Sequence, residues 1–497
     1  LYTARNYPAA YWNRTAFVCG PTGKLVGTFV IERDGAGMKS HSPNNLLASD
    51  DEWTAPIMAE VGPDGNVWVL DWYNYIVQHN PVPQGFERGK GNAYETDLRD
   101  KKYGRVYRVV PDGVNSVSGK AMTLDSPAED LIAGLKSPTM LVRLNAQRLL
   151  VEQGSTDITD ALIQLIDDQS MDSVGLNTGA IHALNTLHGL GLLNSDGPAL
   201  TAATKALTHP SAGVRLNAVR VLPESQATVD EIAHSKLTLD PDHQVVLASL
   251  LKVSDTRAEN AGAIAAEAAA LPAVDQDPWL CDAVVTAGAM HVADFLVSVL
   301  SSEQQLGSGS LESITRVSEH FARTSPDAQA TGELLSLMAK SKTNANEAII
   351  VGVSRGWPRE HKIKLGAQYD SMLTTFFESS SLQTKGMLAR LAPSLSSAAL
   401  EDAIGPMIDS MIDTIEDDDA SIESRIEATN RVVALSPGRV KTIDALFDMI
   451  GPQSPTSLSL GLMNATGKSS VPGVGPRLIE VAQSGTPSIR DAVMQLM

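Results

Sequence analysis

The sequence predicts a multidomain protein of the β + α class, in which the last blades of a β-propeller precede an α-solenoid of the HEAT or armadillo type. Two observations support this prediction. Residues 1–112 hold 15 of the 23 Phe, Trp and Tyr residues, and a helical motif recurs in the remainder of the chain. We therefore expect a partial propeller over 1–112, a linker over 113–124 and a helical repeat array over 125–497.

The first region combines strand-like runs with turn signals. Four runs are rich in β-branched and aromatic residues, which suit a pleated, half-buried surface: 14–19, 24–31, 67–71 and 104–110. A Pro-Asp-Gly turn at 63–65 leads into the run 67–71, and another at 111–113 ends the run 104–110. A propeller blade takes about 40–45 residues, so this region accommodates about two to three blades. Because a propeller needs about four or more blades to close, we expect the missing blades upstream.

The second region repeats a helical motif. Residues 135–150 and 207–222 are identical at nine of sixteen positions, Arg143 and Arg215 among them, with an offset of 72 residues. This offset fits two units of about 36 residues, a size typical of helix-pair solenoids. We expect proline to open the second helix of each pair. We also expect each recurring arginine to pair with a carboxylate or a helix C-terminus of the neighbouring unit.

Composition excludes several classes of function. The net charge of −19 argues against a general nucleic-acid binder, which needs a basic face. Two cysteines, Cys19 and Cys281, cannot form a Cys-x-x-Cys-His haem attachment or a cysteine-based zinc site. The sequence contains no run of about 18 apolar residues, so it predicts no membrane span. Because the chain begins without Met and ends inside a predicted helix, we expect it to be a fragment of a longer protein.

One catalytic motif occurs by sequence alone. Residues 352–356 read Gly-x-Ser-x-Gly, the pattern of a hydrolase nucleophile elbow. That elbow needs a strand before it and a helix after it, within an α/β sheet. Here the match lies inside the helical array, so we expect a plain turn between helices.

The candidate functional residues lie in loops of the first region, where propeller loops gather at one end of the central channel and can line a pocket. They are Asp71, Tyr73, His79, Arg99, Asp100 and Arg105. Either arginine can bind a carboxylate through two hydrogen bonds, and His79 can act as a base or a metal ligand. The alternative is structural: Asp71 caps a turn and Arg105 pairs with Asp100. The residues themselves assign no catalytic role, cofactor site or metal site.

Several segments resemble one family, the PVC-type haem-binding CxxCH proteins, also called putative membrane-bound dehydrogenases. The resemblance lies in 62–65, 71–73, 92–100 and 104–108, and in the helical segments 143–150 and 182–189. The family's propeller is akin to that of quinoprotein glucose/sorbosone dehydrogenases, and HEAT repeats follow it. The resemblance implies that the intact protein oxidises a sugar or related alcohol, uses a quinone cofactor and passes electrons to a c-type haem. It also implies a location in the periplasm or cell envelope.

The resemblance also implies partners outside this chain. Because the sequence holds no Cys-x-x-Cys-His motif, a haem would belong to a cytochrome module downstream, just as further blades would lie upstream. We therefore expect this fragment alone to be inactive, with no cofactor of its own. The rival hypothesis is a non-catalytic propeller–HEAT module that binds carbohydrate or a partner protein.

Overall fold

The chain forms two compact units in a computed structural model, unit 1 over Leu1–Ala258 and unit 2 over Glu259–Met497. The structure describes residues 1–75, 77, 85, 102–113, 121–436, 440–451, 454–469, 471–484 and 486–496. Within these ranges, unit 1 holds six strands and eight α-helices, and unit 2 holds fourteen α-helices. Small antiparallel sheets followed by a long series of helices are therefore the architecture of this chain.

Two antiparallel sheets of three strands each open unit 1. Their strands are β1 (Thr15–Gly20), β2 (Leu25–Asp34), β3 (Gly37–Ala48), β4 (Pro56–Val61), β5 (Val67–Asp71) and β6 (Arg105–Val109). The strand order follows the chain, β1–β2–β3 in one sheet and β4–β5–β6 in the other. The four strands expected from the sequence are confirmed as β1, β2, β5 and β6. We call the two sheets, with the segment that precedes them, the β-module.

The segment before β1 builds an aromatic core between the two sheets. Tyr2 and Tyr7 stack with ring centroids 4.4 Å apart and pack against buried valines of β2 and β5. A buried phenol needs a hydrogen-bond partner. The Tyr2 hydroxyl donates to the carbonyl oxygen of Gly65 at 3.0 Å, and the Tyr7 hydroxyl donates to that of Val109 at 2.7 Å. The first residues of the chain thus fasten the β-module together.

The turn between β4 and β5 is held by its aspartate. The Asp64 carboxylate accepts hydrogen bonds from the Trp68 indole at 3.0 Å and from Arg108 Nε at 2.6 Å. Burial opposes ionisation, but the hydrogen bonds from Asn66, Trp68 and Arg108 outweigh it and lower the pKa of Asp64 to about 2. Gly65 follows with φ of +75°, which favours glycine. The Pro-Asp-Gly signal therefore ties β5 to β6 as well as turning the chain.

The helices of unit 1 stack in succession. They are α1 (Ala128–Gly134), α2 (Met140–Gln153), α3 (Thr159–Asp167), α4 (Thr178–Gly189), α5 (Pro198–Lys205), α6 (Ala212–Val221), α7 (Gln226–His234) and α8 (His243–Asp255). Helices α2, α4, α6 and α8 pack each against the next, and α3 packs against α5. This is the layered arrangement of helix pairs expected of a solenoid.

Unit 2 repeats the same kind of stacking. Its helices are α9 (Ala261–Ala269), α10 (Pro278–Met290), α11 (Val292–Ser301), α12 (Ser308–Arg323), α13 (Ala328–Lys340), α14 (Asn346–Gly356), α15 (Ala367–Ser379), α16 (Leu382–Leu395), α17 (Ala398–Glu416), α18 (Ile422–Leu435), α19 (Val440–Asp448), α20 (Thr456–Thr466), α21 (Val474–Ser484) and α22 (Pro487–Leu496). The even-numbered helices from α10 to α22 pack in succession, and α11, α13, α15 and α17 form a second row. The solenoid-like character expected of the helical region is thus present within each unit.

One of the two recurring arginines makes the expected contact and the other does not. Arg215 forms a two-pronged ion pair with Asp240, which lies before the next stacked helix, at 2.7 and 2.8 Å. This confirms the expected pairing with a neighbouring unit. Arg143 instead donates to the carbonyl oxygens of Ser137 at 2.7 Å and of Thr3 at 3.3 Å. Because the first stacked helix of the array has the β-module beside it, its arginine contacts that module.

Further polar contacts attach the β-module to the helices of unit 1. Arg5 pairs with Asp172 at 2.7 Å, in the loop before α4. Burial lowers the pKa of Arg143 to about 10, and it lowers the pKa of His182, with a smaller contribution from Arg143, to about 4. His182 Nδ1 lies 2.7 Å from the side-chain oxygen of Gln147. Arg143 and Arg5 thus attach the amino-terminal segment to α2 and to the loop before α4, and His182 joins α4 to α2.

One local prediction holds in part and another is wrong. Proline opens α10 at Pro278 and α22 at Pro487, but Pro138 and Pro210 precede the N-cap residues Thr139 and Ser211, so each of these two lies just outside its helix. The fixed φ of proline suits the extended entry to a helix as well as its first turn. The Gly-x-Ser-x-Gly match is not an interhelix turn, because it forms the end of α14.

Candidate functional site

Asp71 occupies the end of β5 and is buried, with 3% of its surface exposed. One carboxylate oxygen accepts the backbone N–H of Ala55 at 2.7 Å and that of Tyr73 at 2.8 Å. The other accepts the Tyr107 hydroxyl at 3.1 Å. Asp71 therefore joins β4, β5 and β6 at one end of the sheet, and its oxygens are directed to protein donors.

Arg105 begins β6 opposite Asp71 in the strand register. Its guanidinium carbon lies 3.6 Å from the ring centroid of Tyr73, a cation–π contact. The same group donates to the Asp51 carboxylate at 3.1 Å and to the Tyr107 hydroxyl at 3.2 Å. These two hydrogen bonds, that to Tyr107 first, raise the pKa of Arg105, so it is charged at every physiological pH.

Tyr73 itself is held in the left-handed region, with φ of +55°. Two hydrogen bonds stabilise this loop: the Tyr73 N–H to Asp71, and the Trp53 N–H to Asp51 at 3.0 Å. The Trp53 N–H and Arg105 lower the pKa of Asp51. A non-glycine residue in this region costs about 1–3 kcal/mol and persists only where its surroundings determine it. The loop therefore holds the Tyr73 ring under the guanidinium.

Two more aromatic rings extend this surface. The Trp53 ring centroid lies 5.9 Å from that of Tyr73 and 6.0 Å from that of Tyr75. Tyr75 is exposed, and Lys24 Nζ lies 5.7 Å from its ring centroid. We call the group formed by Asp51, Trp53, Tyr73, Tyr75, Arg105 and Tyr107 the strand-end cluster. It presents aromatic faces, one carboxylate, one guanidinium and three phenols side by side.

The structure brings together only part of the predicted site. Asp71, Tyr73 and Arg105 meet at the strand-end cluster, whereas His79, Arg99 and Asp100 lie outside the described residues. Sequence reasoning missed Asp51, Trp53 and Tyr107. Side chains two residues apart lie on the same face of a strand, so Tyr107 shares a face of β6 with Arg105. Tyr107 could therefore have been identified from the sequence. Nothing in the sequence linked Asp51 and Trp53 to β6, which is far along the chain.

No group of three or more His, Cys, Asp or Glu side chains in the described ranges is arranged to hold a metal ion. Likewise, no single helix in those ranges has both the length and the apolar character needed to cross a membrane. One pair, α10 with α11, meets the criterion together by length and composition alone, with a bend of 113° between its helices.

Comparisons with known proteins give a family match and two distant structural likenesses. Residues 1–113 match the model of a family described as a domain of unknown function, DUF7133. No curated protein matches the chain. A chain from a structure of Kap95p with RanGDP is 12% identical, with a TM-score of 0.28 over 74% of this chain and 55% of that one. The present chain thus spans about half of its length.

The second structure concerns the phosphorylation-controlled interaction between cadherin and β-catenin. Its matching chain is 14% identical, with a TM-score of 0.26 over 75% of this chain and 92% of that one. At these values neither likeness indicates a shared function. The family description says nothing of haem or of dehydrogenases, so the resemblance to haem-binding dehydrogenase-like proteins stays a prediction.

Proposed function

We propose that this chain belongs to a propeller–HEAT binding module whose strand-end cluster binds carbohydrate. One observation carries the proposal: the Arg105 guanidinium stacks 3.6 Å from the Tyr73 centroid while also bonding Asp51 and Tyr107. A sugar ring has an apolar C–H face and a hydroxyl edge. The rings of Tyr73, Trp53 and Tyr75 suit the apolar face, and the charged groups beside them suit the hydroxyls.

Charge and rigidity support the same proposal. Asp51 accepts hydrogen bonds and Arg105 donates them, so together they satisfy both roles of a sugar hydroxyl. Both side chains remain partly exposed, at 33% and 40%. Because their mutual ion pair holds them in place, a ligand need not order them on binding.

The propeller assignment is supported by the outer face of the second sheet. Met58, Leu70 and Val106 are cross-strand neighbours and are 46%, 41% and 62% exposed. The opposite face of β5 buries Val67 and Val69. An inner blade of a propeller is covered on both faces by its neighbours. We therefore propose that this apolar row is a blade face, which a further sheet covers in the intact protein.

Oxidation of a sugar or related alcohol by the intact protein, with a quinone cofactor and a c-type haem, is a further proposal that only the family resemblance supports. The same holds for a location in the periplasm or cell envelope. An anionic quinone cofactor needs cations that are free to bind it. The Asp51 carboxylate, 3.1 Å from the Arg105 guanidinium, neutralises its charge, so the strand-end cluster can donate hydrogen bonds to a neutral sugar but does not fit an anionic cofactor. We derive no oxidation step from these residues.

Carbohydrate binding is tested with a Trp53→Ala variant. Loss of one stacking ring removes about 0.5–1.5 kcal/mol beyond its buried area, so affinity for a bound oligosaccharide should fall about tenfold. A glycan array identifies the ligand, and calorimetric titration measures the affinity. The matched control is Trp279→Ala, which removes an exposed tryptophan of α10 and should leave the affinity unchanged. An array without any ligand, or equal affinity of Trp53→Ala and the parent chain, would refute the proposal.

A further inference from the structure

A groove in unit 2 gathers basic side chains in a chain that is acidic overall. It has a volume of about 760 Å³, within the range of ligand sites, and lies along the ends of α14, α16 and α18. Four cations line it: Arg355, Arg359, Arg390 and Lys468. Glu401 is the acidic residue among its lining side chains. We infer that this groove binds an acidic segment of a partner polypeptide.

The groove cations have no carboxylate partner among the described residues, whereas five other arginines of unit 2 do. Elsewhere in the unit, ion pairs within 3.0 Å join arginines to aspartate or glutamate. They are Arg316–Asp282, Arg323–Glu319, Arg425–Asp418, Arg431–Glu427 and Arg477–Asp448. A cation at the end of a helix is favoured by the helix dipole, which accounts for Arg355 in the last turn of α14. The dipole does not account for four cations that converge on one groove.

The floor of the groove is apolar. Trp357, Leu391, Ile404 and Leu435 line it, each less than 9% exposed. Cations around an apolar floor suit a ligand that alternates carboxylates with apolar side chains. A small inorganic anion would use the cations and leave the floor uncovered, so the combination favours a peptide.

The backbone of α16 adds an acceptor. Pro393 lies inside this helix and has no N–H to donate to the carbonyl oxygen of Ala389, which lines the groove. A peptide carries backbone N–H groups that can satisfy such an oxygen. The overall charge of −19 opposes the approach of a long polyanion, so a short acidic segment is favoured over nucleic acid.

The test measures binding of a short fluorescein-labelled peptide in which glutamates flank two leucines. Fluorescence anisotropy with the full chain should give saturable binding that weakens as salt rises. The Arg355→Glu/Arg390→Glu variant should bind about tenfold more weakly or worse. Arg355→Gln/Arg390→Gln, which avoids like-charge strain, should bind several-fold more weakly; circular dichroism verifies that both variants fold.

The matched control is Arg323→Glu/Arg431→Glu, which changes the net charge by the same amount on paired arginines of the same unit. It should bind the peptide within about twofold of the parent chain. Three results would overturn the inference: no binding by the parent, equal loss in the control, or competition by tripolyphosphate or a single-stranded oligonucleotide as strong as by unlabelled peptide. The outcome is independent of carbohydrate binding, because the strand-end cluster lies in unit 1.

Discussion

Replacing Arg215 by alanine is expected to lower the opening free energy of α6 and α8 by about 3–5 kcal/mol. The ion pair of Arg215 and Asp240 is nearly buried, with side chains 13% and 5% exposed. Removing the arginine leaves the Asp240 carboxylate in a poorly solvated place without its two-pronged partner. The arginine also donates to the carbonyl oxygen of His209 at 2.8 Å, and that bond is lost as well.

Hydrogen exchange read by mass spectrometry on peptides from α6 and α8 measures this loss locally. The Arg215→Ala/Asp240→Ala double variant should recover part of the stability, because no charge is then left buried. The control is Arg220→Ala, which removes an exposed arginine from the same helix and should cost less than about 0.5 kcal/mol. Equal protection of Arg215→Ala and Arg220→Ala would show that the ion pair does not hold the two helices together.

Replacing Gly352 by valine is expected to destabilise unit 2 by about 3 kcal/mol. Its backbone lies so close to α12 that an added Cβ would overlap the carbonyl oxygen of Thr315, and Gly356 meets Glu319 in the same way. In an ordinary helix interior, replacing glycine by alanine gains about 1 kcal/mol. Here α12 and α14 approach so closely that the overlap outweighs this gain in the free energy of unfolding. Even Gly352→Ala should therefore destabilise unit 2.

Urea unfolding followed by circular dichroism measures the effect on unit 2. The control is Gly179→Ala in α4, where the added Cβ meets the exposed, flexible side chain of Lys136. That variant should stay within about 1 kcal/mol of the parent chain. If Gly352→Val unfolds at the same urea concentration as the parent, the close packing of the two helices is not needed for stability.

For the Gly-x-Ser-x-Gly match, the sequence predicted that it is not a nucleophile elbow but did not predict the packing role of its glycines. Its position inside a helical array correctly excludes a strand-to-helix elbow. The sequence alone does not reveal that the glycines serve helix packing, because helix α13 separates them in the chain from their partner residues on α12. Similarly, Arg143 and Arg215 share one motif position, yet one contacts the β-module and the other Asp240. The element that packs beside each arginine determines which contact that arginine makes.

The β-module was predictable where side chains follow simple rules. Runs such as 67–71 alternate or carry β-branched residues, and Pro-Asp-Gly marks the turns. Strand β3 was missed because Gly37–Ala48 is rich in serine and asparagine and contains Pro43, which an edge strand tolerates. The core role of Tyr2 and Tyr7 was also missed, since they belong to no strand.

The candidate site was likewise predictable only for the residues whose position follows from a strand pattern. Asp71 and Arg105 stand at strand ends, where side chains of neighbouring strands meet. The sequence suggested Asp100 as the partner of Arg105, and Asp100 lies outside the described residues. Within those residues, the fold supplies Asp51 from the loop before β4. A cross-sheet pair of this kind requires the strand register, which the sequence does not specify.

We propose that the two sheets are blades of a propeller. An electron cryomicroscopy structure of the protein expressed from its complete reading frame tests it most directly. We predict a closed propeller in which another sheet covers Met58, Leu70 and Val106 and the strand-end cluster opens at one end of the channel. A structure in which that apolar row stays in solvent, or is covered by a helix, would contradict the account.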